Sequence, residues 1–98
     1  MAYEVKFTSE AANDLRALTR RIQQTVVSKI ENQLTHAPMV ESRNLKHLQP
    51  NDLAEWELRV GKHRIFYNVK QQGLIVEIVA IGYKRRNRLL VGGKDYDL

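Results

Sequence analysis

The chain has 98 residues, 43% hydrophobic and 28% charged, which suits one packed domain and leaves too little chain for two. It contains no cysteine, which excludes disulfide staples, thiolate metal sites and cysteine nucleophiles. No apolar run approaches the roughly 18 residues of a membrane span, and the opening MAYEVKF lacks a signal peptide's charged start and apolar middle, so a cytoplasmic protein with no membrane partner is expected.

Charge is unevenly distributed. Residues 1–58 carry seven basic and eight acidic side chains, whereas residues 59–94 carry nine basic and one acidic, Glu77. The whole positive excess lies in the C-terminal part. Such asymmetry points to a polyanion, most simply nucleic acid; an acidic protein partner also fits.

The elements follow in chain order. Tyr3, Val5 and Phe7 alternate with Glu4 and Lys6, which predicts a short strand. Thr8 or Ser9 offers an N-cap oxygen, and Ala11, Leu15 and Leu18 continue at helical spacing. Ile22, Val26, Ile30 and Leu34 form the stripe of a second helix, which Pro38 stops. A polar stretch between Pro38 and Pro50 joins the halves. Ala54, Trp56, Leu58 and Val60 then alternate with Glu55, Glu57 and Arg59. After a Gly61-Lys62 turn, Ile65, Tyr67 and Val69 alternate with Arg64, Phe66 and Asn68. Leu74–Ile81 is nearly all apolar and should be the most buried strand, ended by Gly82. The predicted fold is α+β: an N-terminal strand and a helical hairpin packed on an antiparallel sheet. It is one domain over residues 1–98, with a short flexible tail from about residue 92, where Gly92-Gly93 reads as a joint.

Two constellations carry chemistry. In WELRVGKHRIFY, alternation puts Arg59 and Arg64 on the face away from Trp56 and Leu58, together with Phe66. Such a face could hold phosphates and a stacked base, or be a solvated surface where Glu55 and Glu57 pair the arginines. In IGYKRRNR, Lys84, Arg85, Arg86 and Arg88 follow a buried strand closely, with Tyr83 beside them. Cations there neutralise phosphate, and a tyrosine stacks on a base or donates a proton. His36, His47 and His63 lack metal-ligand spacing, so no metal or cofactor is expected; His63, next to Arg64, is a candidate acid or base.

The element order and the motifs Leu45-Lys46, Trp56-x-Leu58-Arg59-Val60-Gly61, Arg64-Ile65-Phe66-Tyr67 and Ile81-Gly82-Tyr83-Lys84-Arg85 resemble the RelE/ParE superfamily of type II toxin–antitoxin toxins. The resemblance runs from the first strand to about Asn87. It implies a microbial RNase-type fold and a ribosome-dependent mRNA interferase. That enzyme is a metal-independent endoribonuclease cutting mRNA in the ribosomal A site by 2′-hydroxyl attack, inhibiting translation until an antitoxin neutralises it. ParE-like members instead inhibit DNA gyrase without catalysis. Carried over by position, Arg64 matches an arginine near the scissile phosphate, Lys84 and Arg85 the basic pair after the last strand and Arg59 a strand arginine, while Tyr83 falls where relatives often carry histidine. With His63 added for its place next to Arg64, the expected catalytic set is Arg64, Lys84, Tyr83 and His63, and Arg59, Lys62, Arg85, Arg86 and Arg88 are expected to bind RNA. An antitoxin is the expected protein partner, and an oligomer can form through it. Glu55 and Glu57 stand where RelE-type enzymes carry two lysines, and Arg88, Leu89 and Leu90 where they carry a C-terminal tyrosine.

Overall fold

The computed structural model describes residues 2–96 and shows the α+β layering, with both helices on one face of a sheet. Strand β1 (Glu4–Phe7) leads into α1 (Ser9–Arg16) and α2 (Arg20–Leu34). Each helix begins after a threonine whose hydroxyl accepts a first-turn N–H: Thr8 from Ala11 at 3.1 Å and Thr19 from Ile22 at 3.4 Å. The i, i+4 stripe of α2 buries Val26, Ile30 and Leu34.

Six further strands run antiparallel in sequential order: β2 (Leu45–His47), β3 (Trp56–Val60), β4 (His63–Lys70), β5 (Ile75–Arg85), β6 (Arg88–Val91) and β7 (Lys94–Tyr96). β1 lies parallel to the first part of β5, and β6 pairs with the last part. The main core lies between helices and sheet, around Val26, Ile30, Leu58, Ile65, Tyr67 and Ile78. Tyr67 is fully buried, and its hydroxyl donates to the Pro38 carbonyl at 2.7 Å. Burial pushes its phenol pKa well up.

One irregularity decides which side chains meet. Phe66 faces Ala80 across β4 and β5, while Tyr67 faces Ile78, so Val79 is an extra residue on β5. Before it, Val76 and Ile78 point to the helices; after it, Ile81 does. The bulge therefore turns Gly82 and Lys84 to the other face. α1 holds it in place. The Thr8 hydroxyl donates to the Val79 carbonyl at 3.3 Å, and the Ile81 N–H donates to Asp14 Oδ2 at 3.0 Å.

Two expectations are corrected. β5 does not end at Gly82 but runs to Arg85. The described part of the segment from 92 turns back on β6. Gly92 (φ 58°) and Gly93 (φ 79°) make a two-residue hairpin turn that needs left-handed backbone, and β7 follows. Residues 97 and 98 lie outside the described part. The second sheet face is not open either. The loop after β2 folds over it, and Ala54, Leu48 and Leu53 cover Phe66, Ala80, Leu89 and Val91. Asn51 staples this loop: its side-chain oxygen accepts from Leu53 and Ala54, and its amide donates to Gln49 and Ala54.

Candidate nucleic-acid cleft

Residues directly opposite on paired strands share a face. The register thus builds three rows on the face away from the helices. Lys46, Glu57 and Phe66 form one, Arg59, Arg64 and Gly82 the next, and Lys84, Leu89 and Tyr96 the third. Between the stapled loop and the β6–β7 hairpin lies a cleft of about 590 Å³, lined by Lys46, Glu57, Arg59, Lys84, Asn87 and Tyr96 along with the loop.

Gly82 permits this closure. A Cβ there would sit 2.8 Å from the Leu90 carbonyl oxygen and 2.9 Å from Val91, so β6 can curl over β5 only because the side chain is missing. Lys84 is fixed at its backbone, whose N–H donates to the Lys62 carbonyl at 2.7 Å, while its ammonium end remains exposed.

The electrostatics are mixed rather than uniformly positive. Glu57 is only 8% exposed, and Arg59 Nε donates to its Oε2 at 3.2 Å. Arg64 bends back over the hairpin turn, donating through Nη1 to Gly61 O at 2.8 Å and His63 O at 3.0 Å. Burial lowers the Arg64 pKa, Glu57 works against that shift, and Arg59 adds to it. A guanidinium starts so high that it stays charged. Among the described residues, no carboxylate lies within ion-pair distance of Arg64, Lys84, Arg85 or Arg86.

The residues singled out from sequence separate into two groups. Arg59 and Lys84 line the cleft, with Arg64 beside them on the same face. His63 and Tyr83 do not join them. They face each other on the opposite side of the sheet, edge-on, with ring centroids 5.2 Å apart. Arg85, Arg86 and Arg88 line a separate hollow there, and Arg88 is paired with Asp95. That pairing holds the Asp95 carboxyl below the usual carboxylate range. Lys62 stands exposed on the Gly61-Lys62 turn. Phe66 is fully buried and cannot stack a base.

Sequence reasoning missed Lys46, Asn87 and Tyr96 as cleft residues, and met Glu57 as a partner for the arginines and as a departure from a pattern, not as a group with a role of its own. The parity that places Arg59 also places Glu57, so that signal was present. Nothing in the sequence tied Tyr96, eight residues after the cation run, to a strand beside it. Among the described residues, no His, Asp or Glu cluster gathers as metal ligands, and no helix is long and apolar enough to cross a membrane.

Comparison with known proteins fits this geometry. Residues 5–88 match the family model of the ParE toxin of the type II toxin–antitoxin system parDE. A RelE-like toxin protein of Escherichia coli is 30% identical over 89 residues, covering 89% of this chain and 88% of its own length. A chain of the toxin–antitoxin complex RelBE2 from Mycobacterium tuberculosis superposes with a TM-score of 0.70 at 26% identity, covering 86% of this chain and 100% of that one. A chain of the archaeal RelE–RelB complex from Pyrococcus horikoshii gives 0.71 at 18% identity, covering 88% and 99%, which speaks for the fold alone. The match of sequence along most of its length, on a sheet and helical hairpin of the same shape, places the chain in the RelE/ParE superfamily as a toxin of a type II toxin–antitoxin system.

Proposed function

We propose that this toxin is a metal-independent endoribonuclease that cuts mRNA on the ribosome. The observation that carries the reading is the cleft itself, where one shielded carboxylate, several cations and a phenol share a single space. Cleavage of RNA by its own 2′-hydroxyl, once the strand is bent in line, uses a base for the 2′ proton, cations for the phosphorane and an acid for the leaving oxygen.

The 2′-hydroxyl attacks the adjacent phosphorus. Its proton passes to the Glu57 carboxylate as the new O–P bond forms. Arg59 exchanges Glu57 for the phosphate, which frees the carboxylate for that task. Lys84 and Lys46 add positive charge where the phosphorane develops its negative charge, and Arg64 holds a neighbouring phosphate. Tyr96 protonates the departing 5′-oxygen as the P–O bond breaks. Tyr83 and His63 are given no part in this step because they face away. The products are a 2′,3′-cyclic phosphate and a 5′-hydroxyl.

The neutralising partner is an antitoxin, a reading supported by the toxin–antitoxin complex RelBE2 among the structural neighbours, and it covers the cationic cleft with a helix or an acidic arm. Any higher oligomer forms through it. The working compartment is the cytoplasm, where ribosomes are.

Purified protein added to translating ribosomes should yield mRNA fragments with those two termini. Glu57→Gln should slow cleavage by about 10²–10⁴-fold without loss of fold. The matching ParE family model favours a second reading, inhibition of DNA gyrase. Intact mRNA together with gyrase-linked DNA breaks would establish that reading and overturn the first.

A further inference from the structure

The cations after the β5 core segment do not all serve the cleft. Alternation along β5 and β6 puts Lys84 and Leu89 on the cleft face and Tyr83, Arg85, Arg88 and Leu90 on the other. The second group lines a hollow of about 350 Å³ formed by Arg85, Arg86, Arg88 and Leu90, which shares no residue with the cleft. Only the thickness of the β5–β6 hairpin separates them. Its tip is Arg86-Asn87, with Asn87 on the cleft and Arg86 on the hollow. Arg86 holds φ at 58°, a conformation that disfavours any residue with a Cβ. Beside the hollow, Tyr83 is 37% exposed and braced edge-on by His63.

This surface has a narrow chemical preference. Guanidiniums spaced along a hairpin match successive phosphates, and an exposed phenol ring offers a platform for an unpaired base. The Arg88–Asp95 pair is solvent-exposed on both sides, so Arg88 can exchange that carboxylate for a phosphate. A glycine at position 86 would relieve the backbone; an arginine there instead puts charge at the crossing point between the faces.

We propose that an RNA strand seated in the cleft continues over the Arg86-Asn87 tip onto the back face, where Tyr83 stacks an unpaired base and Arg85, Arg86 and Arg88 take the flanking phosphates. The inference rests on the reading of the cleft as an RNA site and adds a second subsite to it. Residues that looked catalytic in the sequence thus hold the substrate strand outside the reaction.

Uncleavable 2′-O-methyl oligonucleotides of about three and about nine nucleotides provide the test, with binding read by fluorescence anisotropy. The wild type should bind the longer one roughly 10–100-fold more tightly. Tyr83→Ala should remove about ten-fold of that gain and leave the shorter one within about two-fold of wild type. The Arg85→Ala/Arg86→Ala pair should do the same and flatten the log–log salt slope for the longer one by about 1.4. Asp95→Asn, which releases Arg88, should tighten the longer one only. Lys84→Ala should weaken both lengths alike, and circular dichroism reports whether each variant is folded. Equal binding of both lengths by the wild type, or a gain untouched by the Tyr83 and double variants, would remove the second subsite and leave the cleft reading standing. Failure of the wild type to bind either length would overturn the second subsite, while cleavage on translating ribosomes tests the cleft reading separately.

Discussion

Glu57 and Arg59 sit two apart on one strand, share a face, and satisfy each other at 3.2 Å. That pair keeps the cleft from being a bare cationic surface and stores a carboxylate in it. Gly82 makes the opposite contribution, through what it lacks. Gly82→Ala should push β6 off β5 and cost about 1–3 kcal/mol, because the clash is with backbone rather than a movable side chain. A chemical-denaturation midpoint measures it, and a Leu89→Ala change should not rescue it, since the closest atom is the Leu90 carbonyl oxygen. His63 adds a pH dependence. Burial first, and then the Arg64 charge, lower its pKa below the ordinary 6.5. The unfolded chain therefore takes up a proton that the folded one resists. Its contribution should be fully present above about pH 6.5, fall as the pH drops through that value, and level off below the folded pKa. Urea unfolding from pH 8 to pH 5 should show a shallower slope in His63→Gln.

The elements most legible in the sequence are those with a clean period. The four-residue stripe of α2, the alternation of β3 and β4 and the apolar run of β5 all lie where their patterns put them. The bulge at Val79 left no such trace, because Ile75 to Ile81 is so apolar that either parity looks buried. That one extra residue exchanged Tyr83 for Lys84 at the cleft. The β6–β7 hairpin was unreadable for a related reason: strands of four and three residues are too short for a period, and Gly92-Gly93 suits a joint as well as a turn. Since Asp14 accepts the Ile81 N–H beside the bulge, Asp14→Ala should destabilise the fold by about 1–3 kcal/mol by leaving that donor unsatisfied. Asp14→Asn, which retains an acceptor oxygen, should recover most of it. Hydrogen exchange at the Ile81 amide reports the contact directly.

At the level of the whole molecule, the sheet is two structures in one. Its first part is clamped between two helices and a parallel strand, and its last part projects beyond them as a curled wing. Native-state hydrogen exchange should therefore show the paired amides of Val76 and Ile78 opening only with global unfolding, and those of β6 and β7 opening at distinctly lower free energy. Uniform protection across both would contradict that division. The parallel pairing of β1 with β5 has one more consequence. Thr8 reaches Val79 across 71 positions of sequence, so the opening strand has no place to dock until the fifth strand has been synthesised. While the polypeptide is still emerging from its own ribosome, the helical hairpin can form but the bulge that aims Lys84 cannot be clamped. The cleft face is thus among the last features to be set, and a chain truncated before β5 lacks both the bulge and the lysine that the bulge aims.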